Sequence, residues 1–242
     1  MSHMLPVRQP RTTMPKTAPF DEQANEYDAW FEKHSDLYQA ELETVRSFIP
    51  ASGMGVEIGV GTGRFAALLG IYIGVEPAPR MAELARQRGV QVLEGAAEAL
   101  PLFDSSYDFV VMVTVVCFLD DLSLAFREAC RILKPNGTLV IGFIDRESEL
   151  GRQYSQKKNQ SRFYRDATFY SVSELEAILT KAGFSNFAYR QTVVPGETTD
   201  LTVRDGHGSG GFVVIRAQKT REGEQNEGWN HPLSVDRGHV PR

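Results

Sequence analysis

Val56-Glu57-Ile58-Gly59-Val60-Gly61-Thr62-Gly63-Arg64-Phe65 decides the fold of this 242-residue chain. The apolar run from Gly55 to Ile58 is short enough for a buried strand. Three glycines on alternate positions interrupt it, and helical spacing resumes at Phe65, Leu68 and Leu69. Strand, glycine turn and helix in that order open a nucleotide-binding α/β sheet. Glycine suits such a turn because it accepts unusual backbone angles and lets a ligand approach the bare main chain.

The charge around the turn discriminates between ligands. A dinucleotide site wants glycine at the first, third and sixth positions, with a pyrophosphate on the helix N-terminus. Here the sixth position is Arg64, and Glu57 stands two residues before the first glycine. A carboxylate there repels phosphate and attracts a cation. No Gly-Lys-Ser/Thr follows, which excludes a phosphate-binding P-loop. The ligand that fits is S-adenosylmethionine (SAM), which carries an ammonium and a sulfonium and no phosphate.

Downstream, Ile71 to Val75 reads as a second buried strand ending in Glu76, 17 residues beyond Gly59. A carboxylate delivered there offers two acceptor oxygens to two vicinal ribose hydroxyls. A helix follows from Pro77, with Met81, Leu84 and Ala85 inward and Gly89 as its stop. Val90 to Leu93 is a third strand. The turn-like Glu94-Gly95-Ala96-Ala97-Glu98-Ala99-Leu100-Pro101 after it could line an adenine, or Glu98 could be a solvated loop acid. Asp108 to Val113 reads as an apolar fourth strand continuing through Thr114-Val115-Val116-Cys117-Phe118, buried on both faces as in a parallel sheet. A helix from about Asp121 to Leu133 carries the stripe Leu122, Phe126, Ala129 and Leu133. Lys134-Pro135-Asn136-Gly137 ends it, and Thr138 to Ile144 is the fifth strand. The alternation of strands and helices predicts a doubly wound, Rossmann-like α/β fold.

Asp145 to Tyr170 breaks the rhythm, with Arg146, Arg152, Lys157, Lys158, Arg162 and Arg165 interleaved with aromatic residues. An insertion leaving the C-terminal end of a parallel strand stands where ligands bind, and its basic charge points to an anionic or carbonyl-bearing substrate. A solvated excursion anchored by aromatics is the alternative. Ser171-x-x-Glu174 is a capping box opening a helix that ends at Gly183. Phe187 to Val194 and Gly211 to Gln218 are the last strands, an antiparallel edge pair separated by a polar loop with His207.

Upstream of the glycine turn, Tyr27, Trp30 and Phe31, then Tyr38, Leu42, Val45 and Ile49, mark two amphipathic helices before Pro50. Residues 20–49 either close over a site as a helical lid or simply bury their aromatics in the core. Residues 1–19 read as a flexible arm opening on a cloning scar, Met1-Ser2-His3-Met4. Residues 220–242 read as a disordered tail, leaving 20–219 as one domain. The 42% hydrophobic content supplies one good core, and the net charge of −5 gives no broad basic field for nucleic acid. Two cysteines, Cys117 and Cys130, make neither a disulfide framework nor a metal cluster. No apolar run approaches the ~20 residues that span a membrane, so a cytoplasmic address is expected.

Four features in this order resemble the class I SAM-dependent methyltransferases: Glu57-x-Gly59-x-Gly61-x-Gly63, Glu76, Ala97-Glu98-Ala99-Leu100-Pro101 and Arg131-Ile132-Leu133-Lys134-Pro135-Asn136-Gly137. The resemblance spans roughly residues 20–218. It is to the small-molecule type related to ubiquinone/menaquinone-biosynthesis enzymes. Cys117-Phe118-Leu119-Asp120-Asp121 and Asp145-Arg146-Glu147-Ser148 with Phe163-Tyr164 resemble an uncharacterised bacterial or archaeal subgroup. The resemblance implies a seven-stranded sheet of order 3-2-1-4-5-7-6 with strand 7 antiparallel. It also implies that Gly59, Gly61 and Gly63 with their backbone meet the methionine end of SAM, that Glu57 helps hold the ammonium and that Glu76 takes the ribose. Pro77 and Met81 then pack near the adenine, Ala97 and Glu98 border it, and Thr114 and Val115 face the sulfonium. One departure is Ala96, where many relatives carry an acid that accepts from the adenine amino group.

Methyl transfer of this kind needs no metal and no covalent intermediate, and leaves S-adenosylhomocysteine (SAH) as product. A general base is required only for acceptors that must lose a proton. Candidates for that work, or for orienting the acceptor, are Tyr27, His34, Tyr154, Lys157, Tyr164 and His207. Cys117, at an apolar strand end, reads as a small buried hydrophobe. No Asn/Asp-Pro-Pro-Tyr/Phe follows the fourth strand, which argues against base amines of nucleic acid as acceptors. The expected protein is a monomer or homodimer acting on a small molecule. The alternatives are a catalytically silent SAM/SAH sensor and, disfavoured by Glu57 and Arg64, an NAD-dependent oxidoreductase.

Overall fold

Strand β1 (Gly55–Ile58) is buried along its whole length, as a central strand covered on both faces must be. In the computed structural model, which describes residues 17–193 and 201–220, it runs parallel to β2 (Ile73–Val75) on one side and β4 (Tyr107–Val113) on the other. Glu57 lies opposite Gly74 and Val111. Strand β3 (Gln91–Leu93) extends the sheet beyond β2, and β5 (Leu133–Ile144) extends it beyond β4. The strand order therefore reverses direction between β1 and β4, the switch point at which open α/β sheets bind ligands.

The remaining strands, β6 (Phe184–Thr192), β7 (Arg204–Asp205) and β8 (Phe212–Lys219), complete the order β3-β2-β1-β4-β5-β8-β6-β7. Strand β8 is antiparallel to both β5 and β6. The expected order is thus present, with the last long strand antiparallel and one addition. That addition, β7, is two exposed residues at the outer edge of β6, too short to leave an alternating pattern. The residues of the N-terminal arm before 17, of the loop 194–200 and of the tail after 220 lie outside the described residues.

Helices α1 (Ala18–Glu22), α2 (Ala24–Lys33) and α3 (Ser35–Arg46) precede the sheet. Helices α4 (Arg64–Leu69), α5 (Pro79–Gln87), α6 (Leu122–Ile132), α7 (Glu149–Lys157) and α8 (Val172–Lys181) follow within it. The two-residue period of a strand distributes β4 between two cores. Val110 and Met112 pack with α6 and α8, whereas Phe109, Val111 and Val113 pack with α3, α4 and α5. Phe126, Ile132 and Leu179 are fully buried under the first face. Asp121 caps α6 by accepting from Leu124 N–H at 2.9 Å, and Ser171 with Glu174 forms the reciprocal capping box of α8.

Three boundaries differ from the sequence expectation. Strand β4 stops at Val113 instead of running through Phe118: Thr114 has φ +52° and Val116–Phe118 is a turn of 3₁₀ helix. Strand β5 begins at Leu133, ahead of Lys134-Pro135-Asn136-Gly137, because Leu133 pairs with Tyr107 across a register shift. The N-terminal layer holds three helices rather than two. The extra one, α1, is five residues long with proline in its first turn, and helices this short carry no periodic signal.

Candidate active site

The glycine turn and the end of β2 face each other across the switch point. Gly59, Gly61 and Gly63 have φ of +69°, +52° and +79°, values that penalise a side chain. A Cβ on Gly59 would come within 2.4 Å of Val115 Cγ2, whereas a Cβ on Gly61 would stand in open space. The turn is therefore bare backbone next to a void. Glu76 is buried, and its carboxylate accepts from Gly61 N–H and Ala78 N–H, both at 2.9 Å. Burial pushes its carboxyl up to about 7 against the pull of these two N–H groups. Glu57 sits behind the turn. Burial raises its carboxyl well above the usual range, the Ala66 backbone opposes that shift, and its Oε2 is buried with no hydrogen-bond partner.

Two cavities meet at this point. The first, of about 100 Å³, has a floor of Gly59, Gly61 and Glu76, a side of Pro77 and Met81, and a far wall of Val113, Thr114 and Val115. Phe20, Tyr27, Phe118 and Leu119 enclose it from above. The second, of about 320 Å³, lies between α2, α3 and the segment 145–170, and its lining includes Trp30, Leu37, Glu41, Tyr154, Phe163 and Tyr164. Tyr27 and Thr114 border both. The strained Thr114 thus stands where the two spaces adjoin, with the Tyr27 phenol beside its hydroxyl.

Charged groups lock the N-terminal helices onto the glycine turn. Asp28 of α2 is bonded by Arg64 at 2.6 Å and by Arg88 at 2.7 Å, and Arg88 also donates to Thr62 O at 2.8 Å. Burial opposes ionisation of Asp28, yet these guanidinium groups hold its carboxyl down to about 2. Tyr38 donates to Arg64 O at 2.7 Å. Phe20 completes the roof with edge contacts to Tyr27 (5.7 Å) and Phe118 (4.8 Å) and a tilted contact to Phe163 (5.5 Å).

Known proteins match this arrangement. The family description "Methyltransferase domain" matches residues 56–141, the segment from β1 into β5. A crystal structure of a SAM-dependent methyltransferase from Thermotoga maritima, described as a possible histamine N-methyltransferase, is 51% identical. It superposes with a TM-score of 0.81 over 84% of this chain and 100% of that one. The chain belongs to the SAM-dependent methyltransferases. An uncharacterised protein of Methanocaldococcus jannaschii is 42% identical over 202 residues, covering 83% of this chain and 98% of its own. An uncharacterised protein of Mycobacterium tuberculosis is 36% identical over 236 residues, 94% of this chain and 82% of its own.

The residues present suit that cofactor. This methyltransferase offers a turn without phosphate-binding side chains, a buried carboxylate oxygen awaiting a donor in Glu57, and two oriented oxygens in Glu76 with lone pairs to spare. Gly59, Gly61, Glu76, Pro77, Met81, Thr114 and Val115 line the first cavity together. Gly63, Ala97 and Glu98 are not among the residues lining that cavity. Gly63 caps α4, and a Cβ there would press on Ala85 of α5 at 2.9 Å from its Cα, so its glycine serves helix packing. Ala97 is buried in the core with Val75 and Leu100. Glu98 accepts from the N–H groups of Asp120 and Asp121, which ties its loop to the start of α6.

Among the acceptor-side candidates, Tyr27, His34, Tyr154 and Tyr164 line the second cavity. Lys157 is exposed and borders a separate surface depression, and His207 packs on Tyr189 at the sheet edge. Burial pushes the Cys117 thiol up to about 12, so it stays protonated at neutral pH. Sequence reading missed Phe20, Leu119 and Glu41. Leu119 carries no periodic signal, and Glu41, one helical turn beyond Leu37 on the flank of the α3 stripe, reads as a surface acid. Four of the six basic residues that pointed to an anionic or carbonyl-bearing substrate have partners within the protein. Arg146 pairs with Glu174, Arg162 pairs with Glu26, Lys158 donates to Ala167 O and Arg152 donates to Glu147 O. What the insertion gives the cavity is aromatic surface.

Among the described residues no helix is long and apolar enough to cross a membrane, and no cluster of three His, Cys, Asp or Glu could hold a metal.

Proposed function

We propose that the protein methylates a small molecule seated in the aromatic cavity between α2, α3 and the 145–170 segment, with SAM in the adjoining cavity over the glycine turn. The observation that carries this reading is the shared Tyr27–Thr114 border between the space over the glycine turn and an apolar space of about 320 Å³. When bound, SAM supplies a methyl group on a sulfonium, which an acceptor nucleophile displaces in line to leave SAH.

The chain's own residues bind, orient and exclude water. Glu76 accepts from the ribose hydroxyls while Gly61 and Ala78 hold it in place. Glu57 acts on the ammonium through the turn: burial disfavours its ionised form in the free protein, and a bound ammonium favours it. Pro77 and Met81 pack against the base. Thr114 and Val115 flank the sulfur, and Tyr27 guards the passage between the cavities. Phe20, Phe118 and Phe163 cover the reacting groups, so that placement and dehydration supply most of the acceleration.

A recess of about 320 Å³ lined by aromatic side chains suits a small molecule rather than a polymer. The Thermotoga maritima relative, described as a possible histamine N-methyltransferase, is in keeping with an acceptor of that scale. Calorimetry with SAH, NADH and the natural protein tests the cofactor assignment: SAH binds and NADH does not. A methyl-transfer screen over thiols, amines, phenols and carbonyl acids tests turnover, and tight SAH binding with no transfer to any class would favour a sensor instead.

A further inference from the structure

We propose that Glu41 is the recognition group for the methyl acceptor and that the acceptor is a primary or secondary amine, entering the aromatic cavity as its ammonium ion. The inference rests on the placement of the acceptor in that cavity and names its chemistry.

Glu41 lies in α3 one turn beyond Leu37, and both side chains line the cavity. The residue is half-buried, and its side chain borders this cavity. Among the described residues it makes no hydrogen bond and no ion pair, and burial alone pushes it up to about 8. An acid so placed is costly to the fold unless something pairs with it. The other charged groups of the cavity, Glu26, Lys33 and His34, are exposed at its rim. Glu26 is paired with Arg162, and His34 is bonded to Trp30 O at 2.9 Å and stacked on the Trp30 ring. The phenols facing Glu41 belong to Tyr27, Tyr154 and Tyr164, and burial raises all three, so they stay neutral donors. A half-buried, unpaired carboxyl in a cavity lined also by Tyr27, Trp30, Tyr154, Phe163 and Tyr164 suits an organic cation. A carboxylate or phosphate acceptor would meet a like charge there.

The same group balances the reaction. Glu41 takes one N–H proton from the bound ammonium. The freed lone pair on nitrogen forms the bond to the methyl carbon as the methyl–sulfur bond breaks, and that electron pair stays on sulfur. The product is an N-methylammonium ion, and Glu41 returns its proton to solvent.

The test is calorimetry on the full-length, SAH-saturated protein with n-butylamine, 2-phenylethylamine and tryptamine, each against the alcohol of the same skeleton. At least one amine should bind tenfold or more tightly than its alcohol. Glu41→Gln should abolish that preference while SAH affinity changes less than twofold. Between pH 6 and 8 the amine affinity of the natural protein should rise by roughly tenfold per unit, levelling off above about 8, because the cation binds the ionised acid; Glu41→Gln should be flat. Without ligand, Glu41→Gln should melt no lower than the natural protein at pH 8, since an unpartnered charge has been removed. Equal binding of every amine and its alcohol overturns the proposal, as does an undiminished preference in Glu41→Gln. A lower melting temperature for Glu41→Gln would make Glu41 a structural residue and overturn it too. Failure of SAH itself to bind would instead remove the cofactor placement on which the proposal stands.

Discussion

Two backbone N–H groups fix the Glu76 carboxylate on the floor of the first cavity, so ribose hydroxyls bound there as proposed would meet acceptors that need no reorganisation. Glu76→Ala leaves both those N–H groups and the hydroxyls unpaired. SAH affinity should fall by roughly 1–3 kcal/mol by calorimetry, and an unchanged affinity would remove Glu76 from the site. Glu57 would work differently, as a buried acid behind the turn that a bound ammonium draws towards its ionised form. Glu57→Gln should weaken SAH more than methylthioadenosine, which lacks the ammonium, and equal losses would contradict that role. The raised carboxyls also set a pH dependence. Glu76 in the free protein is half protonated near 7, and the ribose favours its ionised form, so SAH affinity should climb from pH 6 to pH 8 and Glu76→Gln should flatten the climb.

At the scale of elements, the Asp28–Arg64–Arg88 clamp holds α2 over the glycine turn. Asp28→Asn keeps the shape and removes the charge. It should cost roughly 1.5–3 kcal/mol and raise hydrogen exchange in α1 and α2 while leaving β4 and β5 protected. The Asp28 carboxyl lies lower in the folded state than in the unfolded one, so its contribution is full above about 4 and lost as pH falls through about 2. An acid melt of the natural protein should show that loss, and Asp28→Asn should not. The clamp explains what the sequence disclosed and what it withheld. Arg64 was legible as a residue wrong for pyrophosphate, because that reading needs only its spacing from Gly59. Its partner Asp28 lies 36 residues away on a helix whose docking no local pattern announces. The capping box at Ser171 and the buried strands were legible for the same reason: both are local rules. The break at Thr114 was not, since apolar residues continue on both sides of it and nothing local announces its positive φ. Glu41 was hidden by a similar limit, because a charged residue beside an apolar stripe reads as surface until α7 and the Tyr164 segment cover it.

Across the whole molecule, the sheet is the rigid part and the roof of aromatics is assembled on it from three separate segments. Phe126 of α6 is fully buried against that sheet. Phe126→Ala should cost about 3–5 kcal/mol in denaturant unfolding, without changing SAH affinity in the protein that remains folded. Cofactor binding should act in the opposite sense, because it bridges the sheet and the N-terminal layer. SAH at 100 times its dissociation constant should add about 2.7 kcal/mol, read as a rise in melting temperature. A crystal structure with SAH bound tests the central claim most directly. The account predicts the ribose hydroxyls on Glu76, the base against Pro77 and Met81, and the sulfur beside Thr114 facing the aromatic cavity. A nucleoside bound away from Glu76, or a sulfur turned from the Tyr27–Thr114 passage, would contradict it.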